Sequence, residues 1–461
     1  MMNYDVLVCG GGPAGVMAAV AAARQGARVG LVERYGFLGG MATSALVLPL
    51  MTFHATPAEQ VITGLPQELI DRVMAMGGSP GHLPDPVGFC GSITPADPES
   101  LKLAYQELLL EAGVTLHLHA WLLRAEAGGG VVRSVTVGSK DGERSLAASC
   151  YIDATGDGDL AALAGAPFDL GRPGDGLTQP MTMMFRVSGI DWAPIGAYAA
   201  AHPGDFHETS RLDGLASLPA PAVSGFFSLV EKARAAGDFP IDRDRVLLFG
   251  TGRPGEAIVN MTRIPRQNAL TSSGLTAGEV EGRRQVQMVL RFLQKYVPGC
   301  KALALVQTGA QVGVRETRRV IGDYTLTGID VVTGRAFADS VARGAFPIDI
   351  HSPTGGELVA PHMAPGTSYD IPFGCLLPRG MQNLLVAGRC FSADHEALAS
   401  ARVSATAMAL GQAAGTAAAL AVARSVPPRQ LPIDCLQEAL AHNGASCGKL
   451  HLRKEGDRPQ R

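Results

Sequence analysis

The sequence predicts an α/β fold organised on a parallel sheet, and three observations carry the prediction. Residues 4–33 read as strand, glycine turn, helix and strand, closed by Glu33. Two later segments, 149–167 and 383–403, each run a short apolar strand into a glycine turn. The last of them opens onto VSATAMALGQAAGTAAALAVA (403–423), a helical stretch without a charge.

The first unit begins with YDVLVC (4–9), a valine-rich apolar run of the kind a buried strand needs. GGGPAG follows, then VMAAVAAARQGA, a helix ending at Gly26, and RVGLVE, a strand ending at Glu33. Gly10, Gly12 and Gly15 form GxGxxG. Gly10 permits the tight turn, Gly12 lets the backbone approach a pyrophosphate, and Gly15 lets the helix pack closely on the sheet. The helix start at Ala14–Gly15 offers free N–H groups and the positive dipole end to phosphates. Glu33 can accept hydrogen bonds from a ribose diol, and its charge disfavours the extra phosphate of NADP. The strand before, the helix after and the acid beyond make this a dinucleotide site; GxGxxG alone would not.

That unit does not choose between FAD and NAD. ERYGFLGGMATSAL (33–46) places Gly39–Gly40 just beyond the acid, where the chain can run flat against an extended cofactor. SCYIDATGDGDLAALAGAP (149–167) gives a strand at Tyr151–Ala154 and a turn at 155–158. NLLVAGRCFSADHEALASARV (383–403) gives a strand at Leu384–Ala387, a Gly388–Arg389 turn and a loop carrying His395, then the uncharged helix. In this order the three patterns resemble the FAD-dependent oxidoreductases of the glutathione-reductase-like fold, and within it the bacterial FAD-dependent oxidoreductase family. GVRETRRVIGDYTLTGID (313–330), FPIDIHSP (346–353) and YDIPFGCLLP (369–378) look like that family's blocks, so the resemblance covers most of the chain.

The resemblance implies an α/β, Rossmann-like FAD-binding domain with a β-meander, plus an inserted α+β substrate or cap domain. It implies that Gly10, Gly12, Ala14 and Gly15 hold the pyrophosphate, and that Glu33 and Arg34 hold the adenosine ribose. Gly39, Gly40 and Met41 would lie along the flavin, Ala154, Thr155 and Gly156 on the adenine side, and Gly388 and Arg389 by the ribityl–pyrophosphate region. Arg402 would sit by the flavin ring.

The FAD domain is expected to be discontinuous, in pieces 1–50, 96–165 and 375–425. Helix 99–113 has apolar residues at helical spacing and feeds alternating strands over 114–148, the meander. Residues 51–95 and 166–374 are expected to form the substrate or cap part, with a loop-rich stretch at 168–222, either a lid or an ordinary surface excursion, and a long amphipathic helix at 278–298. Residues 426–461 form a C-terminal extension whose last residues, KEGDRPQR, are expected to fray.

The totals exclude several classes. With 461 residues, 18% charged, 57 glycines and a formal net charge of −3, the chain can bury a large core but offers no basic surface for nucleic acid. The eight cysteines lie singly, without CxxC spacing, against a zinc site, an iron–sulfur cluster or a redox-active dithiol. No metal is expected. The N-terminus lacks a positive n-region and carries Asp5, so a cytoplasmic protein without a secretory signal is expected. Residues 403–423 have the length of a membrane span, but Ser404, Thr406, Gln412 and Thr416 favour a buried helix, and no membrane partner is expected. Ala407, Gly411, Gly415 and Ala419 fall four apart, a stripe for close helix packing. No second GxGxxG follows a strand, so no nicotinamide domain is expected.

Candidate catalytic groups are few. His351 in PIDIHSP follows Asp349 by two residues, so on a strand the two share a face. His395 precedes the flavin-facing helix, and Tyr369 precedes Asp370. Arg315 belongs with Glu316, Arg318 and Arg319 to a cluster that grips a carboxylate, ties two domains together or forms a solvated face. Arg402 and the helix start behind it can supply a positive field for reduced flavin. The leading expectation is FAD-dependent oxidation of a small organic substrate by hydride transfer to flavin N5, as a dehydrogenase or oxidase. The alternatives are a reductase of C=C or C=N bonds and a partner-dependent FAD electron carrier. A homo-oligomer stays open.

Overall fold

A computed structural model describes residues 2–353 and 363–450. The expected fraying of the tail falls outside the described residues. The first sheet has seven strands. Thr115–His117, Val29–Val32, Met2–Cys9 and Gly142–Asp153 run parallel in that spatial order, and Val131–Ser139 and Trp121–Gly128 continue it as an antiparallel meander. Leu384–Val386 joins in parallel beside Tyr151–Asp153. The strand expected at 151–154 is thus the far half of one long strand. Its first residues pair with the meander, and from Leu146 to Asp153 it pairs with the N-terminal strand, through Cys9↔Asp153.

Helix Pro13–Arg24 lies against helix Ser404–Ala423, and the stripe foreseen in the sequence is the contact. A Cβ on Gly411 would stand 2.0 Å from the carbonyl oxygen of Ala14, and one on Gly415 2.0 Å from that of Ala18. Only glycine lets the two backbones meet there. Helix Ser404–Ala423 is long and apolar enough to cross a membrane, yet 83% of it is buried inside this protein. Its lack of charge therefore reflects protein on every side.

A second, five-stranded antiparallel sheet runs Ala222–Gly225, Val246–Gly250, Glu256–Val259, Phe185–Ser188, Ala304–Thr308. Helix Ser272–Tyr296 packs on it, buries Val286, Val289, Phe292 and Leu293, and starts earlier than expected because the Thr271 side chain caps it, accepting from the Gly274 N–H at 3.1 Å. Within the loop-rich stretch 168–222, Phe185–Ser188 is a strand inside this sheet.

Among the described residues the buried apolar side chains form two large clusters and a small one of Val87, Ala222 and Phe249. Residues between Met181 and Val314 fill the core of the antiparallel sheet. Leu65, Leu69, Ile70 and Val73, on helix Leu65–Ala75, join the core of the first sheet instead. So do Val320, Val341, Tyr369 and Ile371. That helix packs on Pro98–Glu111 and Ser404–Ala423, so it belongs with the first sheet.

Candidate functional site

One cavity of about 590 Å³ opens at the C-terminal ends of strands Met2–Cys9, Val29–Val32 and Leu384–Val386 and runs into the antiparallel domain. Its size falls within the ~300–1,000 Å³ usual for small-molecule and cofactor sites, and its place is where open α/β sheets bind ligands. Gly10, Gly12, Pro13, Ala14, Glu33, Arg34, Gly40 and Met41 line one end, with Ala154, Thr155, Gly156, Gly388 and Arg389. Gly10 has φ +106°, and a Cβ on it would lie 2.3 Å from the Ala154 carbonyl oxygen. Gly12 caps helix Pro13–Arg24 with no side chain on the helix N–H groups, which leaves them for an anion.

Gly15 and Gly39 do not line the cavity; they support it. A Cβ on Gly15 would meet the Gly10 oxygen at 1.8 Å, and the Gly39 N–H donates to Gly11 O at 2.9 Å. Glu33 is 6% exposed and accepts from the N–H of Gly11 at 2.6 Å and of Tyr35 at 2.9 Å. Burial raises its pKa, and these backbone bonds work against the rise. Arg389 donates to Asp157 Oδ1 at 2.7 Å and keeps a buried Nη1 without a partner among the described residues.

The other end is cationic and apolar together. Arg402 stands at the junction between helices His395–Ala401 and Ser404–Ala423, and Val403, Ser404 and Ala407 continue the cavity wall behind it. Its Nη2 donates to the Asp349 carbonyl at 3.0 Å, while its buried Nη1 has no partner among the described residues. His351 joins Asp349 Oδ2 through Nε2 at 3.1 Å and Arg263 Nη2 through Nδ1 at 3.2 Å. A guanidinium only donates, so Nδ1 accepts and Nε2 carries the proton toward Asp349. Residues 349–351 form no strand, yet the two side chains meet as their spacing suggested.

Burial pushes the His351 pKa down to about 3; Asp349 opposes this and Arg315 adds to it, so the ring is neutral. For Asp349 burial alone would raise the pKa, but His351, Arg402 and Arg315 outweigh it and hold the carboxyl well below the usual range. Burial, then Arg402, brings Arg315 down to about 9. Both arginine and aspartate are therefore charged at neutral pH.

The remaining candidates part company. Arg315 lines the cavity, but Arg319 forms a buried ion pair with Glu316 and Arg318 pairs with Asp159 at 2.8 Å, which ties elements together. His395 does not line the cavity. It opens helix His395–Ala401 rather than lying in a loop, and its Nδ1 bonds Glu316 Oε1 at 2.9 Å. Tyr369 is fully buried behind the wall, its hydroxyl on Ser400 Oγ at 2.7 Å. Conversely, Arg243, Arg245 and Asn260 line the cavity without having drawn notice in the sequence. The available signal was the Asp-Arg-Asp-Arg run at 242–245, just ahead of an apolar strand.

The chain is similar to several known proteins. A geranylgeranyl bacteriochlorophyll reductase-like protein from Thermoplasma acidophilum is 13% identical, over 98% of this chain and 86% of that one, with a TM-score of 0.47. A p-nitrophenol 4-monooxygenase from Pseudomonas putida is 12% identical, over 99% and 92%, with a TM-score of 0.45. A flavin-dependent brominase is 11% identical, over 96% and 83%, with a TM-score of 0.47. No curated protein matches. The family model described as FAD dependent oxidoreductase matches residues 5–440, nearly the whole chain, and the protein belongs to that family.

Proposed function

We propose that this FAD-dependent oxidoreductase oxidises a small organic substrate bound at the cationic end of the cavity, by hydride transfer to flavin N5. The residues present fit the cofactor. The uncapped start of helix Pro13–Arg24 suits a pyrophosphate, and Gly10 and Gly40 leave no side chain in its way. Glu33 retains lone pairs for a ribose, and the orphan Nη1 of Arg389 suits a polar cofactor group. When bound, the flavin supplies the hydride acceptor.

The chain does the rest. Arg402, Arg315 and the N-terminus of helix Ser404–Ala423 set a positive potential in the cavity, which stabilises negative charge arriving there. The placing of Arg402, Arg315 and the uncapped start of that helix in one cavity lining is the observation that carries the direction, because positive charge there makes taking electrons from a substrate more favourable. Neutral His351 orients Asp349 through its Nε2–H, as a positioning residue. Ionised Asp349, which lines the cavity, can accept a hydrogen bond from a substrate O–H or N–H. Anaerobic mixing of the holoprotein with a panel of small hydroxy and amino compounds tests the direction. Bleaching of the visible flavin bands is expected. Absence of bleaching, together with reoxidation of the pre-reduced protein by unsaturated compounds, would reverse the reading.

A further inference from the structure

Arg243 is 8% exposed and lines the cavity, and its guanidinium makes no ion pair among the described residues. Its buried Nε also lacks a hydrogen-bond partner there. The nearby carboxylates are engaged elsewhere. Asp244 takes both bonds of Arg245, at 2.9 and 2.6 Å. Asp349 is held by His351 and Arg402. Arg315 likewise has no carboxylate partner among the described residues and donates to the Pro180 carbonyl at 2.6 Å. Burial, then Arg263 and Arg245, lowers the Arg243 pKa to about 10, so it stays a cation at neutral pH. A buried guanidinium without an ion pair among the described residues is costly to maintain, and a bidentate carboxylate is the partner its planar fork matches.

The surroundings describe the rest of that partner. Val87, Phe89, Leu247, Phe249, Phe346 and Ile348 line the cavity beside these arginines. A small inorganic anion would leave this apolar surface uncovered, whereas an aryl or alkyl body would bury it. We propose that the substrate is an organic carboxylate with an apolar body, its carboxylate gripped by Arg243 with Arg315 beside it. This rests on the reading that the cationic end takes the substrate. It does not depend on the direction of electron flow.

The test is ligand binding to the oxidised holoprotein, read by calorimetry and by the flavin difference spectrum, with benzoate, hexanoate, benzamide and inorganic phosphate as probes. Benzoate or hexanoate should bind at least 10-fold more tightly than benzamide and phosphate. Arg243→Gln should weaken benzoate about 10- to 100-fold, as loss of a charge-assisted contact implies, and leave benzamide nearly unchanged. Arg243→Lys should fall between. FAD content and the urea midpoint show that each variant is folded, and the comparison of benzoate with benzamide needs no variant. Failure of both carboxylates to bind, equal binding of benzamide, preference for phosphate, or full benzoate affinity in folded Arg243→Gln would each overturn the proposal. Carboxylates that bind while no compound reduces the flavin would sink the redox reading and leave this one standing. A neutral compound that bleaches the flavin while carboxylates do not bind would do the reverse.

Discussion

Replacing Gly411 by alanine adds one methyl group at the closest approach of two helices. That carbon would lie 2.0 Å from Ala14 O and 2.7 Å from Ala14 C, both backbone atoms that no rotamer change can move. Ordinary contact begins above 3 Å, so helix Ser404–Ala423 must draw away from helix Pro13–Arg24 by about 1 Å or more. Overpacking of a tight core costs about 1–3 kcal/mol, with separation of the neighbouring small residues adding to it. An overlap of this depth against backbone belongs at the upper end of that range, and alanine's better helix propensity returns up to about 1 kcal/mol, which leaves a net loss of about 2 kcal/mol. The loss should reach the cofactor, because Ala14 and Ala407 both line the cavity. Urea unfolding followed by flavin fluorescence reads the stability, and titration of the apoprotein with FAD reads the affinity. Gly204→Ala is the control: a Cβ there meets nothing within 4 Å, and its midpoint should stay within about 0.5 kcal/mol of the parent. If Gly411→Ala were as stable as the parent and kept its FAD affinity, the placement of these helices would be wrong.

Other outcomes follow from the same coordinates. Gly10→Ala combines a φ of +106° with a Cβ 2.3 Å from Ala154 O, so FAD affinity in the same titration should fall at least about 10-fold. His351 titrates at 6.5 when unfolded but is pushed down to about 3 in the fold. As pH falls below 6.5 the unfolded chain binds a proton that the native chain refuses, and stability drops by up to about 1.4 kcal/mol per pH unit. His351→Asn should flatten this acid limb between pH 6.5 and 4; parallel urea midpoints for variant and parent over that range would refute the assignment. Tyr369→Phe removes only a buried bond to Ser400, so the rate of flavin reduction should be unchanged while stability falls by about 1 kcal/mol.

The FAD-binding half was legible because its signal is local. Gly10, Gly12, Gly15 and Glu33 lie within one strand–helix–strand unit, and their spacing alone dictates the turn, the helix start and the acid. The stripe at 407, 411, 415 and 419 was legible for the same reason, although its partner, Ala14 and Ala18, is almost 400 residues away. Strand Gly142–Asp153 read as two strands because it changes neighbours midway, which a local pattern does not encode. Arg243 was illegible for a different reason. It lies in a connection before strand Val246–Gly250, and only the folding of the second domain over the first brings it to Arg315 and His351. Tyr369 and His395 carry chemical capacity that the sequence shows and partners that it does not: Ser400 and Glu316 hold their polar atoms away from the cavity lining.

A crystal structure of the FAD-loaded protein tests the central claim most directly, that one cavity holds cofactor and substrate end to end. The account predicts the pyrophosphate on the N-terminus of helix Pro13–Arg24 at Gly12–Ala14, and the flavin ring between Gly40–Met41 and Arg402–Val403. The Arg243 end then stays open for a second molecule. A pyrophosphate seated away from Gly12–Ala14, or a ring filling the Arg243 end, would contradict it.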